Sequence, residues 1–242
     1  MSRETVIAPG ISYRWPENGA APSSDSFLLA DFALARINGR VCDLCSGAGL
    51  AAMLLAGRKP ETEFVCADAD GSAIKCCLEN VSRAGWEDRI KAVVCDAARW
   101  RESFSPESFR SVICNPPYFP AGSGKTSEAR GTARSESSCG LPEICAAAGG
   151  LLQPGGRFFI CMRASRLAGL MCAMRNAGTE PKRLRFAAHS EGKAPFLVLC
   201  EGIKGAAPSL AIMPELRLFD RNGRPTEESD RIYYGKREED RG

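Results

Sequence analysis

Between Arg40 and Asn115, short apolar runs alternate with longer stretches of helical spacing, and a carboxylate or an amide marks the end of each run. Arg40–Cys45, Glu63–Ala67, Ile90–Cys95 and Ser111–Cys114 have the length and composition of strands, whereas Leu50–Ala56 and Ser72–Ala84 read as helices. Alternation at this spacing predicts βαβ units and a parallel sheet. Asp43, Asp68, Asp96 and Asn115 fall at successive strand C-termini, the edge at which open α/β sheets bind ligands.

The remainder extends this pattern. Ser24 or Asp25 caps a helix through Ile37, with Phe27, Ala30, Leu34 and Ile37 on one face. Leu141–Leu152 and Arg166–Asn176 are helices, and Pro154-Gly155-Gly156 turns into a strand over Arg157–Met162. Arg183–Ala188 and Pro195–Glu201 form a closing β-hairpin. Met1–Ser24 reads as irregular because Pro9, Gly10, Pro16, Gly19 and Pro22 punctuate it. Phe119–Ser138 reads as a mobile Gly/Ser-rich loop, and the tail from Pro214 as charged and turn-rich. The expectation is one domain over 1–242: an N-terminal segment (1–24), a core (25–205) and a C-terminal extension (206–242).

Composition narrows the chemistry. Of 242 residues, 44% are hydrophobic and 25% charged, and the formal net charge is +3, which suits a globular chain. No run approaches the apolar length that spans a bilayer, and the N-terminus has no apolar leader core, so a cytoplasmic, membrane-free protein is expected. Twelve cysteines sit beside a single histidine, His189. Several lie inside apolar runs, where a reduced Cys behaves as a small hydrophobe, and Cys42-x-x-Cys45 has no second pair at zinc spacing, so no metal is expected. One histidine also argues against Ser-His-Asp and Cys-His relays. Lysines and arginines outnumber glutamates from Cys161 to Lys204, and Lys125, Arg130 and Arg134 add a second basic group. Such clustering suits a phosphate backbone, and a solvated mixed surface accounts for it equally well on charge alone.

Two motifs carry chemistry. In Asp43-Leu44-Cys45-Ser46-Gly47-Ala48-Gly49 the glycines let backbone approach a ligand, and the next helix offers unpaired N–H groups. An isolated G-x-G fits a plain strand-to-helix turn or a dinucleotide site as well. Asp68, at the end of the following strand, can accept from both ribose hydroxyls of an adenosine. Asp96, with the Ala97 N–H beside it, can take an exocyclic adenine amine or simply cap a turn.

Asn115-Pro116-Pro117-Tyr118 is the more discriminating of the two. A planar amino nitrogen is a poor nucleophile because its lone pair is delocalised. The Asn115 side-chain oxygen and the Pro116 carbonyl can each accept one of its N–H bonds, orienting it for methyl transfer by position and electrostatics. Pro116 and Pro117 stiffen the edge. Tyr118, or Phe119 beside it, can stack on a base swung out of its nucleic-acid stack.

These residues resemble the class I S-adenosylmethionine-dependent methyltransferases and, more narrowly, the bacterial tRNA (valine) adenine-37 N6-methyltransferase family. Tyr13-Arg14 with Asp25 to Ala30 is similar to that family's N-terminal signature, and Arg217-Leu218-Phe219, Thr226 to Glu228 and Ile232-Tyr233 to its C-terminus. The stretch from Asn115 through Gly122 to Lys125 and on to Glu136 is more specific. The resemblance implies a Rossmann-like fold: a mostly parallel seven-stranded sheet, a C-terminal antiparallel hairpin and helices on both faces. It implies S-adenosyl-L-methionine as cofactor, held by Tyr13, Asp43, Ser46, Gly47, Gly49, Asp68, Ala69, Asp96, Ala97 and Asn115. Catalysis is implied for Asn115, Pro116, Pro117 and Tyr118, substrate binding for Phe119, Lys125, Arg130 and Arg134, and RNA, most often tRNA, as partner of a monomer or weak dimer. The same motif occurs in protein glutamine N5-methyltransferases and in rRNA and DNA adenine-N6 methyltransferases. Lys182, Arg183 and Arg185 join Arg130 and Arg134 in favouring RNA. Cys45 stands where the family has its first glycine, so the turn must accept a Cβ there.

Overall fold

The structure is a computed structural model that describes residues 2–8, 10–17, 19, 21–117 and 139–235. Tyr118, Phe119, Lys125, Arg130 and Arg134, and the loop expected over 119–138, lie outside the described residues.

The chain opens with a hairpin. Strands β1 (Ser2–Ala8) and β2 (Ile11–Pro16) pair antiparallel, and Gly10, at φ +74°, lies in the link between them. Ile7, Tyr13 and Trp15 point inward and are buried, the period of two that a one-sided strand requires. The expected irregular segment is therefore a sheet: Gly10 and Pro16 mark strand ends, where proline and glycine are tolerated.

Helix α1 runs Ser24–Leu34 with Ser23 as N-cap, one residue earlier than expected, and Ile37 follows it rather than extending it. Then come β3 (Val41–Leu44), α2 (Leu50–Ala56), β4 (Phe64–Asp68), α3 (Gly71–Ala84), β5 (Ile90–Val94), a 3-10 helix over Ala97–Glu102 and β6 (Phe109–Cys114). After the undescribed segment follow α4 (Leu141–Leu151), β7 (Leu152–Arg163), α5 (Leu167–Asn176), β8 (Thr179–Ala188) and β9 (Leu197–Lys204). Two-residue strands β10 (Ala211–Ile212) and β11 (Leu216–Arg217) precede helix α6 (Glu227–Tyr234).

The described residues form a nine-stranded sheet in the order β10-β8-β9-β7-β6-β3-β4-β5, with β11 also on β8. Seven strands make up its body as expected, and β10 and β11 are additions at one edge. The run β7-β6-β3-β4-β5 is parallel, whereas β9 is antiparallel to both β7 and β8. Pro154-Gly155-Gly156 does not break the chain into turn and strand. Strand β7 starts at Leu152, and the pairing with β6 shifts register between Phe109 and Ser111 instead.

Both faces of the sheet are dry. Val41, Cys66, Ile113, Phe159 and Leu199 join α1, α2 and the hairpin in one core; Cys42, Val65, Val112, Phe158 and Val198 join α4, α5 and Trp100 in the other. Strands buried on both sides read as continuous apolar runs, which is why their extent could be read without alternation. The tail expected to be all turns holds α6, capped by the Thr226 side chain accepting from Ser229 N–H (3.1 Å). Arg231 clasps Asp31 of α1 with two bonds (2.7 and 3.1 Å), and Tyr233 packs on Phe27.

Candidate active site

The decisive placement is made by register. β3 and β6 are neighbours with Leu44 opposite Cys114, so the glycine turn and Asn115 leave the sheet side by side although the sequence separates them. To one side of β3 the chain builds β4 and β5, and beyond β6 lies β7. This is the switch point at which strand order reverses and a crevice opens.

The turn is built from backbone and carboxylates. Asp43, 1% exposed, accepts from Ala52 N–H in α2 (3.0 Å), and burial pushes its carboxyl up to about 7 despite that bond. Asp68 accepts from Gly47 N–H (2.8 Å) and Asp70 N–H (2.9 Å); burial raises it as well. Some of the N–H groups expected to face a ligand are thus already engaged inside the protein. Ser46 N–H is another, bonded to the Ala67 carbonyl (3.1 Å).

Three successive odd-numbered positions of the turn lie at positive φ: Cys45 (+60°), Gly47 (+55°) and Gly49 (+85°). Glycine is the default there; Cys45 adopts the left-handed region with a Cβ. A Cβ on Gly49 would sit 2.6 Å from Cys77 Sγ, so that glycine is required by space as well as by backbone. A Cβ on Gly47 would meet nothing within 4 Å, so its outer side is open. That open face lies beside Asp68, which takes the Gly47 N–H. Asp96 accepts from Ala98 N–H (2.9 Å), capping the 3-10 helix, and keeps one oxygen clear of that bond.

Tyr13 is buried near Asp43 and Cys77, close to this turn. It is 4% exposed, stacks on Trp15 with ring centroids 6.1 Å apart, and burial, with the Cys77 thiol and the Asp43 carboxylate nearby, pushes its phenol up. Arg14, whose side chain bonds Glu4 (2.9 Å), is turned toward β1. A residue that sequence reasoning passed over ties these parts together. Asn80 of α3, fully buried, accepts from Arg14 N–H (2.7 Å) and donates to the carbonyls of Arg14 (2.8 Å) and Ala48 (3.1 Å). Only its polarity within the apolar stripe of α3 hinted at a role.

Asn115 is held by side chains. Its Nδ2 donates to Ser26 Oγ (2.9 Å) and Ser23 Oγ (3.4 Å), and its Oδ1 accepts from the Cys161 thiol (3.1 Å). Pro116 is buried and Pro117 exposed. Both line a hollow shared with Leu141, Ile144, Met162 and Arg166, an apolar wall with one guanidinium at its rim.

The basic residues of β8 have partners within the protein. Arg183 Nε lies 2.8 Å from buried Glu201, out of line for a hydrogen bond, while its Nη2 bonds the Phe32 carbonyl (2.8 Å) and its guanidinium sits 4.2 Å from the Phe32 ring centroid. Arg185 makes two 2.8 Å bonds to Glu228, and Lys182 bonds the Ala207 carbonyl (2.9 Å) and Ser209. Among the described residues no group of three His, Cys, Asp or Glu could hold a metal ion, and no helix is long and apolar enough to cross a membrane.

The model of the methyltransferase small domain matches residues 22–170, from before α1 to the start of α5. The chain belongs to this family. It is an enzyme of the S-adenosylmethionine-dependent methyltransferase class. It is 27% identical over 189 residues to a Shewanella halifaxensis protein named tRNA1(Val) (adenine(37)-N6)-methyltransferase, covering 77% of this chain and 76% of that one. A Bacteroides thetaiotaomicron protein of the same name is 32% identical over 138 residues, 57% of each chain. Among solved structures, a predicted O-methyltransferase from Agrobacterium tumefaciens superposes with a TM-score of 0.71 at 21% identity, over 86% of this chain and 95% of that one, which is a likeness of fold.

Proposed function

We propose that this enzyme transfers a methyl group from S-adenosylmethionine to the exocyclic N6 of an adenine in RNA, in the first instance adenine 37 of a tRNA. The observation that carries the reading is the Asn115 carboxamide fixed at the carboxyl end of β6, beside the glycine turn of β3. S-adenosylmethionine, when bound, supplies an electrophilic methyl on a sulfonium. Asp68 and Ala69 would face its ribose, Asp96 and Ala97 its adenine, and Ser46, Gly47 and Gly49 the chain that bears the sulfonium. Asp43 and Tyr13 act by holding α2 and the turn in place.

On the acceptor side, Asn115 Oδ1 and the Pro116 carbonyl each take one N–H of the amine, so the nitrogen lone pair is turned out of conjugation. No general base is required of the chain, because the N–H proton becomes acidic once the nitrogen is alkylated. Tyr118 and Phe119 are assigned to stacking, and Lys125, Arg130 and Arg134 to phosphate contacts. We read 25–205 as the catalytic core, with 1–24 and 206–242 as covers on it, acting in the cytoplasm where tRNA is found.

Purified protein incubated with methyl-labelled donor and, separately, total tRNA, ribosomal RNA or peptide-chain release factors tests this. Label recovered as N6-methyladenosine from tRNA is the expected result. Label on glutamine of a release factor would replace it with the amide reading, since an amide NH2 offers Asn115 the same two N–H bonds.

A further inference from the structure

We propose that Ser26 and Cys161 are positioning residues: they clamp the Asn115 carboxamide so that its donors are spent inside the protein while its oxygen keeps a lone pair for the acceptor. The inference rests on the reading of Asn115 just given.

A carboxamide offers two N–H donors at one end and two lone pairs at the other. Both ends have nearly the same shape, so packing alone does not choose between the two settings that differ by a half-turn. An amino substrate presents donors, and only the setting with oxygen outward accepts them. At Nδ2 the first turn of α1 supplies two hydroxyl oxygens, Ser26 at 2.9 Å and Ser23 at 3.4 Å, enough for both N–H groups. At Oδ1 the hydrogen-bond partner seen among the described residues is a thiol, Cys161 at 3.1 Å, and S–H is a weak donor. The donor end is satisfied and the acceptor end only lightly engaged. Ser26 is 7% exposed and Cys161 fully buried, so water does not take the place of either. Ser26 is the stronger half because its bond is short and holds the end that must not face the substrate.

Ser26→Ala tests the clamp, with Ser26→Thr as the variant that keeps the hydroxyl. With total tRNA and labelled donor, Ser26→Ala is expected to lower kcat by about tenfold, with unchanged KM for the donor and unchanged affinity for S-adenosylhomocysteine. Ser26→Thr is expected to restore kcat. Independently of turnover, nuclear magnetic resonance of the Asn115 side-chain amide, assigned by its absence from Asn115→Ala, should show faster exchange of its protons with solvent in Ser26→Ala than in the parent. Unchanged kcat and unchanged exchange in Ser26→Ala overturn the clamp. So does a loss of kcat accompanied by weaker donor binding, which marks a structural role. Full activity of Asn115→Ala overturns the function reading instead, and the exchange measurement still judges the clamp.

Discussion

The two halves of the site are anchored in different ways. The turn at 45–49 is held from within the stretch 43–80: Asp43 bonds Ala52 nine positions on, Asp68 bonds Gly47 twenty-one positions back, and Asn80 bonds the Ala48 carbonyl thirty-two positions back. The corner at Asn115 is held from 89, 92 and 46 positions away, by Ser26, Ser23 and Cys161. The turn is thus a property of a βαβ unit, whereas the acceptor corner exists only once α1, β6 and β7 have been packed together. Damage to the first should weaken donor binding; damage to the second should slow transfer while leaving the donor bound.

The largest test of that division is Asn115→Ala. Removing the oxygen that receives the amine should cut kcat by at least about a hundredfold, in the range seen when a single preorganised hydrogen-bond partner is lost, with S-adenosylhomocysteine affinity within about twofold by calorimetry. A parallel loss of donor affinity would erase the distinction between the halves.

Asn80→Ala strikes the donor half from behind. It strands the Arg14 N–H and the carbonyls of Arg14 and Ala48 in a dry setting, at a cost of about 2–4 kcal/mol. Thermal unfolding should record that loss, and hydrogen exchange should rise over β1 and β2 and over the turn together. Exchange confined to the hairpin would show that Asn80 does not couple the two.

This contrast also explains what the sequence could and could not disclose. Helices and body strands were legible because local periodicity and doubly buried apolar runs produce them. The strand-end residues Asp43, Asp68, Asp96 and Asn115 were legible for the same reason. Other features were not. The hairpin was hidden because Gly10 and Pro16 are equally at home in loops and at strand ends, and α6 because its inward residues are few. The fate of Arg183 and Arg185 depended on Glu201 and Glu228 arriving from other elements, and charge counts carry no information about pairing. Ser26 and Asn80 were missed on the same ground: both are polar residues on helices whose partners come from afar.

A pH series sharpens the view of the turn. Asp43 titrates near 7 when folded and near the ordinary 3.8 of a free carboxyl when unfolded. The folded state therefore binds more protons between those values, so stability is fullest below about pH 4 and is lost as pH rises toward 7, counting Asp43 alone. Asp68 is raised too and acts in the same direction. Asp43→Asn should flatten this part of the denaturation midpoint against pH, while Asn115→Ala leaves it unchanged. An unaltered slope in Asp43→Asn would mean that Asp43 is ionised and well solvated in the native turn.

The smallest effect expected comes from Cys45, a non-glycine residue in the glycine turn. Its φ of +60° places a Cβ in the left-handed region, a conformation that costs a non-glycine residue about 1–2 kcal/mol. Cys45→Gly removes that strain, and it also frees the unfolded chain, which takes back up to about 1 kcal/mol. The side chain packs against the core on the α4 side, and its loss subtracts a little more. The net gain should be no more than about 1 kcal/mol, or roughly 2–4 °C in melting temperature for a chain of this size. Because the change lies in the donor half, any kinetic effect should fall on the donor KM and not on kcat. A fall in kcat at saturating donor would mean that the turn and the Asn115 corner, side by side at the ends of β3 and β6, work as one unit, and the division drawn from their separate anchors would fail at its nearest point.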